Sequence, residues 1–331
     1  MACRSRRGAL SRRWLLLGAM LGAVMPLHAE GLHLERAIPL PGVEGRIDHL
    51  GLDRSGHRLF VAALGNNTVE VVDLEQNRVA RSLTGFAEPQ GVCFVPEFNL
   101  LAVANGGDGR CQLLDGTSLI PVASLVLSGD ADNVRYDASH KEILVGYGEG
   151  GLAIIDPASK SVVATTPLDN HPEAFQIEAA TGRAFVNVPS SHQVRVLDLQ
   201  ERKAIASCSL GLEAENFPMA LDEAHHRLFV GCRFPARLVV FDTATGKKVA
   251  TVPLHGDCDD LFYDASRKQV YASCGEGFLD VVAQSDADHY AASQSGPTAP
   301  GARTCLFDGD GLYLAVPRRS GAQAEVRVYR P

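Results

Sequence analysis

Short apolar runs alternate with turns along nearly the whole chain, without the 3.6-residue period of an amphipathic helix. One stretch, RLFVAALGNNTVEVVD, shows the pattern clearly. Its apolar run from Leu59 to Ala62 predicts a mostly buried strand, and the Val69–Asp73 segment predicts a second one. The glycine and asparagines between them tolerate the positive φ of a tight turn. The stretch therefore predicts a β-hairpin.

This unit recurs seven times. Equivalent positions in its second strand are separated by 41 to 44 residues and are occupied by Phe60, Leu101, Leu144, Phe185, Phe229, Tyr271 and Tyr313. A third strand ending in aspartate repeats in phase, and an acid usually ends the first strand as well. Four short strands in a period of about 42 residues are typical of a β-propeller blade. The sequence therefore predicts an all-β fold, a seven-bladed β-propeller with four-stranded antiparallel blades.

The two ends of the chain complement each other. The last copy of the unit contains three strands, and residues 32–40 form a single strand before the first complete unit. Pairing this N-terminal strand with the last blade would close the ring and remove exposed strand edges. An open solenoid or a two-domain sandwich is the alternative.

The unit resembles the YVTN-type propeller repeat, in which a YVTN strand precedes a turn and a V-x-V-[IV]-D strand. The matching segments are Phe60-Val61-Ala62-Ala63 and Asn67-Thr68-Val69-Glu70-Val71-Val72-Asp73. The resemblance covers residues 32–331, and the whole is similar to exported bacterial proteins of the YncE-like type. It implies a seven-bladed, secreted propeller and does not imply one particular activity.

Residues 1–29 have the composition of a secretory signal peptide. Five arginines without an acid precede an apolar run from Trp14 to Val24, and Ala29 is a small residue suited to cleavage. We expect a signal peptide at 1–29, a propeller at 30–331 and a periplasmic or secreted protein. Arg12 and Arg13 leave both the Sec and the twin-arginine route open. An uncleaved anchor is the alternative, and no later stretch is long and apolar enough to cross a membrane.

Removal of the signal takes the formal net charge from −8 to −13, because five arginines leave with it. An acidic surface repels phosphate groups, which argues against nucleic acid and anionic membranes as partners. The expected partner is a small molecule or another protein.

Residues just before the innermost strand of each blade are expected to ring one mouth of the central channel. Acids from four blades converge there, so a bound cation, an arginine or raised pKa values must offset their repulsion. The predicted ligand-binding residues at this mouth are Asp48, His49, Gln90, Asp132, Asn133, His171, Glu173, Asn216, Asp259, Asp260 and Arg303.

One interpretation of these acids is a divalent-cation site. Its predicted ligands are oxygens of Asp48, Asp132, Glu173 and Asp259, assisted by His49 or His171. Oxygen ligands suit Ca²⁺ or Mg²⁺, whereas a histidine favours Zn²⁺ or another transition metal. The alternative is a solvated acidic funnel that binds no metal.

Cysteines form a second cluster in the sixth unit. Cys258 lies just before the first strand and Cys274 ends the second, so antiparallel pairing would place them nearly opposite each other. Because export favours oxidation, we expect a disulfide between them. Two free thiols, a Cys–Asp metal site and a Cys232–Cys258 pairing stay open.

Three classes of function remain, and whether the protein is an enzyme stays open. We favour a binding or scaffold propeller whose ligand site is the acidic channel mouth. The alternative is a metal-dependent, lactonase-like hydrolase or lyase, in which the cation polarises a carbonyl and His49, Glu173 or His171 moves a proton. The third class is a structural component of a larger envelope assembly.

Overall fold

Seven four-stranded antiparallel sheets follow one another along the chain and form the blades of a propeller. The computed structural model describes residues 1–2 and 31–331, and Gly31–Pro331 is the unit that contains the blades. The predicted seven-bladed architecture is confirmed. Residues 3–29 of the predicted signal peptide lie outside the described residues.

Blades 1 to 4 are each built from four consecutive strands. The first strand of the chain, β1 (His33–Leu40), belongs to the last blade. Blade 1 contains β2 (Leu50–Asp53), β3 (Arg58–Ala63), β4 (Thr68–Asp73) and β5 (Arg78–Leu83). Blade 2 contains β6 (Pro89–Val95), β7 (Leu100–Asn105), β8 (Arg110–Asp115) and β9 (Pro121–Val126). Blade 3 contains β10 (Ala131–Asp137), β11 (Glu142–Tyr147), β12 (Gly151–Asp156) and β13 (Ser161–Pro167). Blade 4 contains β14 (Phe175–Glu178), β15 (Arg183–Val188), β16 (Gln193–Asp198) and β17 (Lys203–Ser209).

Blades 5 and 6 repeat the arrangement, and blade 7 joins the two ends. Blade 5 contains β18 (Ala214–Asp222), β19 (Arg227–Phe234), β20 (Ala236–Asp242) and β21 (Lys248–Pro253). Blade 6 contains β22 (Cys258–Asp264), β23 (Gln269–Cys274), β24 (Phe278–Asp286) and β25 (His289–Pro297). Blade 7 contains β26 (Cys305–Phe307), β27 (Leu312–Val316), β28 (Ala324–Arg330) and the N-terminal β1. Short 3-10 turns occupy Leu64–Asn66, Pro96–Phe98 and Pro189–Ser191.

The N-terminal strand closes the ring as predicted. Strand β1 pairs with β28 from His33 opposite Arg330 to Leu40 opposite Ala324. Ile38 and Leu40 are fully buried. The outermost strand of blade 7 is therefore supplied from the opposite end of the chain.

The core lies between neighbouring blades, which explains the apolar runs. The second strand of a blade is covered on both faces, so Leu59 to Ala63 are all fully buried. The recurring aromatic positions Phe60, Phe185, Phe229 and Tyr271 are likewise fully buried. Outermost strands such as β17 are largely exposed. Within the described part of the chain, no helix is long and apolar enough to span a membrane.

The repeating acids at strand ends hold the turns that follow them. Asp53 accepts hydrogen bonds from the backbone N–H of Gly56 and the hydroxyl of Ser55, and Arg58 donates to its other oxygen at 2.6 Å. Other strand-ending aspartates accept backbone N–H groups of their own turns, namely Asp73, Asp115, Asp137, Asp156, Asp198, Asp242 and Asp264. These acids are thus explained by local structure.

Candidate functional site at the channel mouth

A bulge at the start of the innermost strands brings adjacent side chains to the mouth. In blade 1, Asp48 donates its backbone N–H to Ala62 (2.8 Å), and Ala62 donates its own to the carbonyl of His49 (3.1 Å). Asp48 and His49 thus both lie opposite Ala62, which is the arrangement of a β-bulge. Blade 4 repeats these bonds at Glu173, and the strand register shifts beside Asp132 and Asp259. Because a bulge re-aims side chains, the two adjacent residues at the start of each of these strands reach the same site.

His49 lies at the centre of the mouth and faces carboxylates from three blades. Its Nδ1 is 3.4 Å from Asp260, and its Nε2 is 3.7 Å from Asp48 and 3.9 Å from Asp132. The amide of Asn133 lies 3.5 Å from Nε2. Burial lowers the pKa of His49, but the carboxylates of Asp260, Asp48 and Asp132 together raise it to about 10. His49 is therefore a buried cation at neutral pH.

Arginines neutralise two of the four predicted metal ligands. Arg46 lies 2.8 Å from Asp48, while Arg233 and Arg303 lie 2.5 Å and 3.1 Å from Asp259. Sequence reasoning included Arg303 and missed Arg46 and Arg233. The signal was present for Arg233, because it is the last residue but one in the second strand of blade 5 and such strand ends open at this mouth.

The other two predicted metal ligands, Asp132 and Glu173, lie beside His171. Each of the three residues offers one ligand atom, and these atoms lie within 4.8 Å of one another. His171 Nδ1 is 2.6 Å from the carbonyl oxygen of Gly148, which can only accept, so Nδ1 donates and the lone pair of the neutral imidazole lies on Nε2. A carbonyl partner of this kind is the usual orientation of a metal-ligating imidazole.

The two carboxylates of this cluster have raised pKa values. Burial, followed by repulsion from Asp132 and Asp259, raises the pKa of Glu173 well above its usual range. Burial also raises the pKa of Asp132 to about 6, although His49 opposes the shift. Unfavourable negative charge is therefore concentrated at this pair, which a proton or a bound cation would relieve.

Several buried oxygens at the mouth lack a hydrogen-bond donor among the described residues. They are both carboxylate oxygens of Asp48, Oδ1 of Asp132 and Oδ2 of Asp259. Arg46 lies 2.8 Å from Oδ2 of Asp48 and Arg303 lies 3.1 Å from Oδ2 of Asp259, so these two oxygens already face a cation. Asp48 is 1% exposed, and its Oδ1 and that of Asp132 find no hydrogen-bond donor in the described part of the chain. Because an unpaired buried acceptor costs about 1–3 kcal/mol, these two oxygens favour a donor or a cation in the mouth.

The remaining predicted residues lie at the rim or outside the cluster. Gln90 donates to Asp130 at 2.6 Å, and Asp130 lies 3.7 Å from His171, so Gln90 is linked to the cluster through one residue. Asn216 is fully buried and donates to Asn187 and to the carbonyl of Gln193. These bonds join the loops of blades 4 and 5 and do not reach the carboxylates.

The predicted cysteine pair is directly opposed in blade 6. Cys258 pairs with Cys274 in the register of β22 and β23. The structure shows both as buried free thiols. A hydrogen bond to the Cys274 thiol, followed by burial, raises the pKa of Cys258 well above its usual range. The disulfide stays a prediction for the exported protein.

Behind the mouth, the channel widens into a cavity of about 660 Å³. His49 and Asp260 line its inner end, and Asp53, Arg54 and Asp308 line the end at which the innermost strands finish. The cavity therefore opens toward the face opposite the mouth. Each innermost strand hydrogen-bonds to a single neighbouring strand, so its free edge borders the channel.

Comparison with known proteins identifies the fold and nothing finer. No protein-family profile and no curated protein matches the chain. A chain of Kuenenia stuttgartiensis hydrazine synthase superposes with a TM-score of 0.73 at 15% identity, covering 88% of this chain and 99% of that one. A chain of a mitotic checkpoint complex gives 0.77 at 14% identity, with 97% and 99% covered. Likeness at this level of identity shows the fold alone.

Proposed function

We propose that this protein is an exported propeller of the YVTN-repeat, YncE-like type that binds a small cationic ligand at the mouth of its channel. The observation that carries the proposal is that Oδ1 of Asp48 and Oδ1 of Asp132 are buried and have no hydrogen-bond donor among the described residues. A ligand with ammonium groups would donate to these acceptors and offset their charge.

The charges at the mouth support a cationic ligand. Six carboxylates face one another, namely Asp48, Asp132, Glu173, Asp257, Asp259 and Asp260. The opposing cations are Arg46, Arg233, Arg303 and the protonated His49. Full ionisation would leave two negative charges in excess. Because the pKa values of Asp132 and Glu173 are raised, protons on these two acids relieve part of this excess when no ligand is bound.

A metal-dependent hydrolase or lyase is the second candidate, and the cluster of Asp132, His171 and Glu173 favours it. Two carboxylates and an imidazole with a free lone pair suit Zn²⁺. A metal there would supply Lewis-acid activation of a carbonyl or of water. The remaining mouth residues would then orient the substrate.

Calorimetry distinguishes the two candidates. The chelator-treated full chain would be titrated with putrescine, an organic dication, and separately with zinc, calcium and magnesium chlorides. We expect putrescine to bind, and Asp132→Asn to weaken its binding about tenfold, because a charge-assisted hydrogen bond is lost. Asp310→Asn, an exposed residue of a turn on the opposite face, is the matched control.

The outcomes of the titrations separate the cationic-ligand site from the metal-dependent enzyme. Zinc binding that depends on Asp132 and His171, without putrescine binding, would favour the metal-dependent enzyme. Absence of heat with every probe would remove the proposed site. Equal weakening by the two aspartate variants would show that binding is a general effect of surface charge.

A further inference from the structure

Rigid aromatic side chains form much of the wall of the cavity behind the mouth. Phe94, Tyr263 and Phe307 line it, and each packs against the recurring aromatic residue of a second strand. The ring centroids are 6.0 Å apart for Phe94 and Phe60, 5.2 Å for Tyr263 and Phe229, and 5.0 Å for Phe307 and Tyr271. These contacts hold the wall in place before any ligand arrives.

Two cations that line this wall, Arg54 and Arg135, have no acidic partner among the described residues. Arg135 lines the cavity, and among the residues described in the structure none offers a carboxylate within 4.0 Å of its guanidinium. It donates one hydrogen bond, to the carbonyl of Val134 at 2.9 Å, and lies 5.7 Å from the ring centre of Phe175. Most of its five N–H donors therefore remain for a ligand.

The other charged side chains around the cavity already have partners. Asp53 accepts from Arg58 at 2.6 Å, and the Asp260 carboxylate accepts from the backbone N–H of Cys305 while facing His49. At the open end, the Asp308 carboxylate accepts backbone N–H groups of its own turn, and Arg54 donates to the Asp308 carbonyl. Arg54 is exposed at the open end, whereas Arg135 is half-buried in the wall, so Arg135 is the cation placed to meet a ligand inside the cavity.

We propose that this cavity is a second binding site, which takes a small aromatic or otherwise apolar molecule carrying one anionic group. The rings of Phe94, Tyr263 and Phe307 contact the apolar body, and Arg135 pairs with the anion. The volume of about 660 Å³ is that of a typical small-molecule pocket. The site lies beyond His49 from the mouth and does not depend on the function proposed there.

Two fluorescent probes with the same rings test the proposal in the full chain. Anilinonaphthalene sulfonate carries one anionic group, and phenylnaphthylamine lacks it. We expect Arg135→Ala to weaken binding of the sulfonate about tenfold or more, because a charge-assisted interaction is lost, and to leave the neutral probe within about twofold. Arg78→Ala, on the exposed outermost strand of blade 1, should change neither. Leu52→Trp, which fills the cavity, should weaken both.

The proposal is overturned if the wild-type chain binds neither probe, or if Arg135→Ala binds the sulfonate as tightly as the wild type does. Arg135→Gln keeps the side chain close to its original volume and serves if the alanine variant does not fold. Melting curves of every variant exclude unfolded protein as the source of fluorescence. Failure of this test would leave putrescine or zinc binding at the mouth unaffected.

Discussion

Glu173 and Glu178 lie five residues apart in blade 4, yet their surroundings act on them in opposite directions. At Glu173, burial and the nearby acids Asp132 and Asp259 raise the pKa. At Glu178, burial also raises the pKa, but hydrogen bonds from Thr181, Arg183 and Thr243 outweigh it and lower the pKa overall. The residue type is the same, but Glu173 precedes β14 and Glu178 ends it, so the two side chains meet different partners at opposite ends of the strand.

The paired glutamate gives a prediction with a defined pH dependence. Glu178→Gln should lower the free energy of unfolding at neutral pH by about 2 kcal/mol, because Arg183 (2.9 Å) and Thr243 (2.9 Å) lose a charged acceptor. Since the folded pKa lies below the ordinary 4.5, this stability is present above that value and is lost as the pH falls.

Urea unfolding of wild type and variant across the acid range measures this effect. The difference should shrink between about pH 5 and pH 3. Glu149→Gln, an exposed residue, should stay within about 0.5 kcal/mol of the wild type throughout. A difference for Glu178→Gln that does not change with pH would show that the lost interaction is not ionic.

At the scale of the element, the terminal strand and the strand-start bulges have different origins. The need for a fourth strand in blade 7 follows from counting strands, and β1 supplies it. In the bulge of blade 1, Asp48 and His49 both lie opposite Ala62. The hydrophobic pattern of the sequence does not predict it. It appears only when the backbone pairing is known, and it decides which side chains reach the mouth.

Ring closure by β1 is tested by comparing two outermost strands. Ile38→Ala should lower the free energy of unfolding by about 3 kcal/mol, because a fully buried side chain between β28 and blade 1 is truncated. Val163→Ala, in the outermost strand of blade 3, should cost less than about 0.5 kcal/mol because Val163 is largely exposed. Similar small effects in chemical denaturation would mean that β1 is not part of the folded ring.

At the scale of the whole molecule, the channel has two ends of different character. The mouth gathers an excess of carboxylates around His49, whereas the cavity behind it has aromatic side chains in its wall and holds Arg135. His49 and Asp260 lie between the two compartments. The two sites that we propose, one for a cationic and one for an apolar anionic ligand, therefore lie in separate compartments of the channel.

A third prediction concerns export of the chain and removal of its N-terminal segment. Expressed in a bacterial host, the full chain should appear in the periplasm with Glu30 as its first residue, because residues 1–29 have signal-peptide composition. Replacing both Arg12 and Arg13 with lysine should block export only if the twin-arginine route is used. Fractionation followed by N-terminal sequencing measures both results. A cytoplasmic chain that begins at Met1 would contradict the prediction.

The sequence alone determined the number of blades, the strands within them and the pairing of the two ends. These features depend on apolar periodicity and turn residues, which act between neighbours in the chain. It also indicated most of the mouth residues, because the repeat fixes where each innermost strand begins. The acids that end strands were visible too, although their role in holding turns was not.

The tertiary structure decided which charges meet. Arg46 and Asp259 come from blades 1 and 6 and lie 4.0 Å apart, and no local pattern relates them. The division of the mouth acids into arginine-paired Asp48 and Asp259 and the cluster of Asp132 and Glu173 with His171 depends on such contacts. The cavity and the unpaired Arg135 likewise exist only once seven blades surround a common axis, because burial and pairing arise from the closed ring rather than from any single repeat.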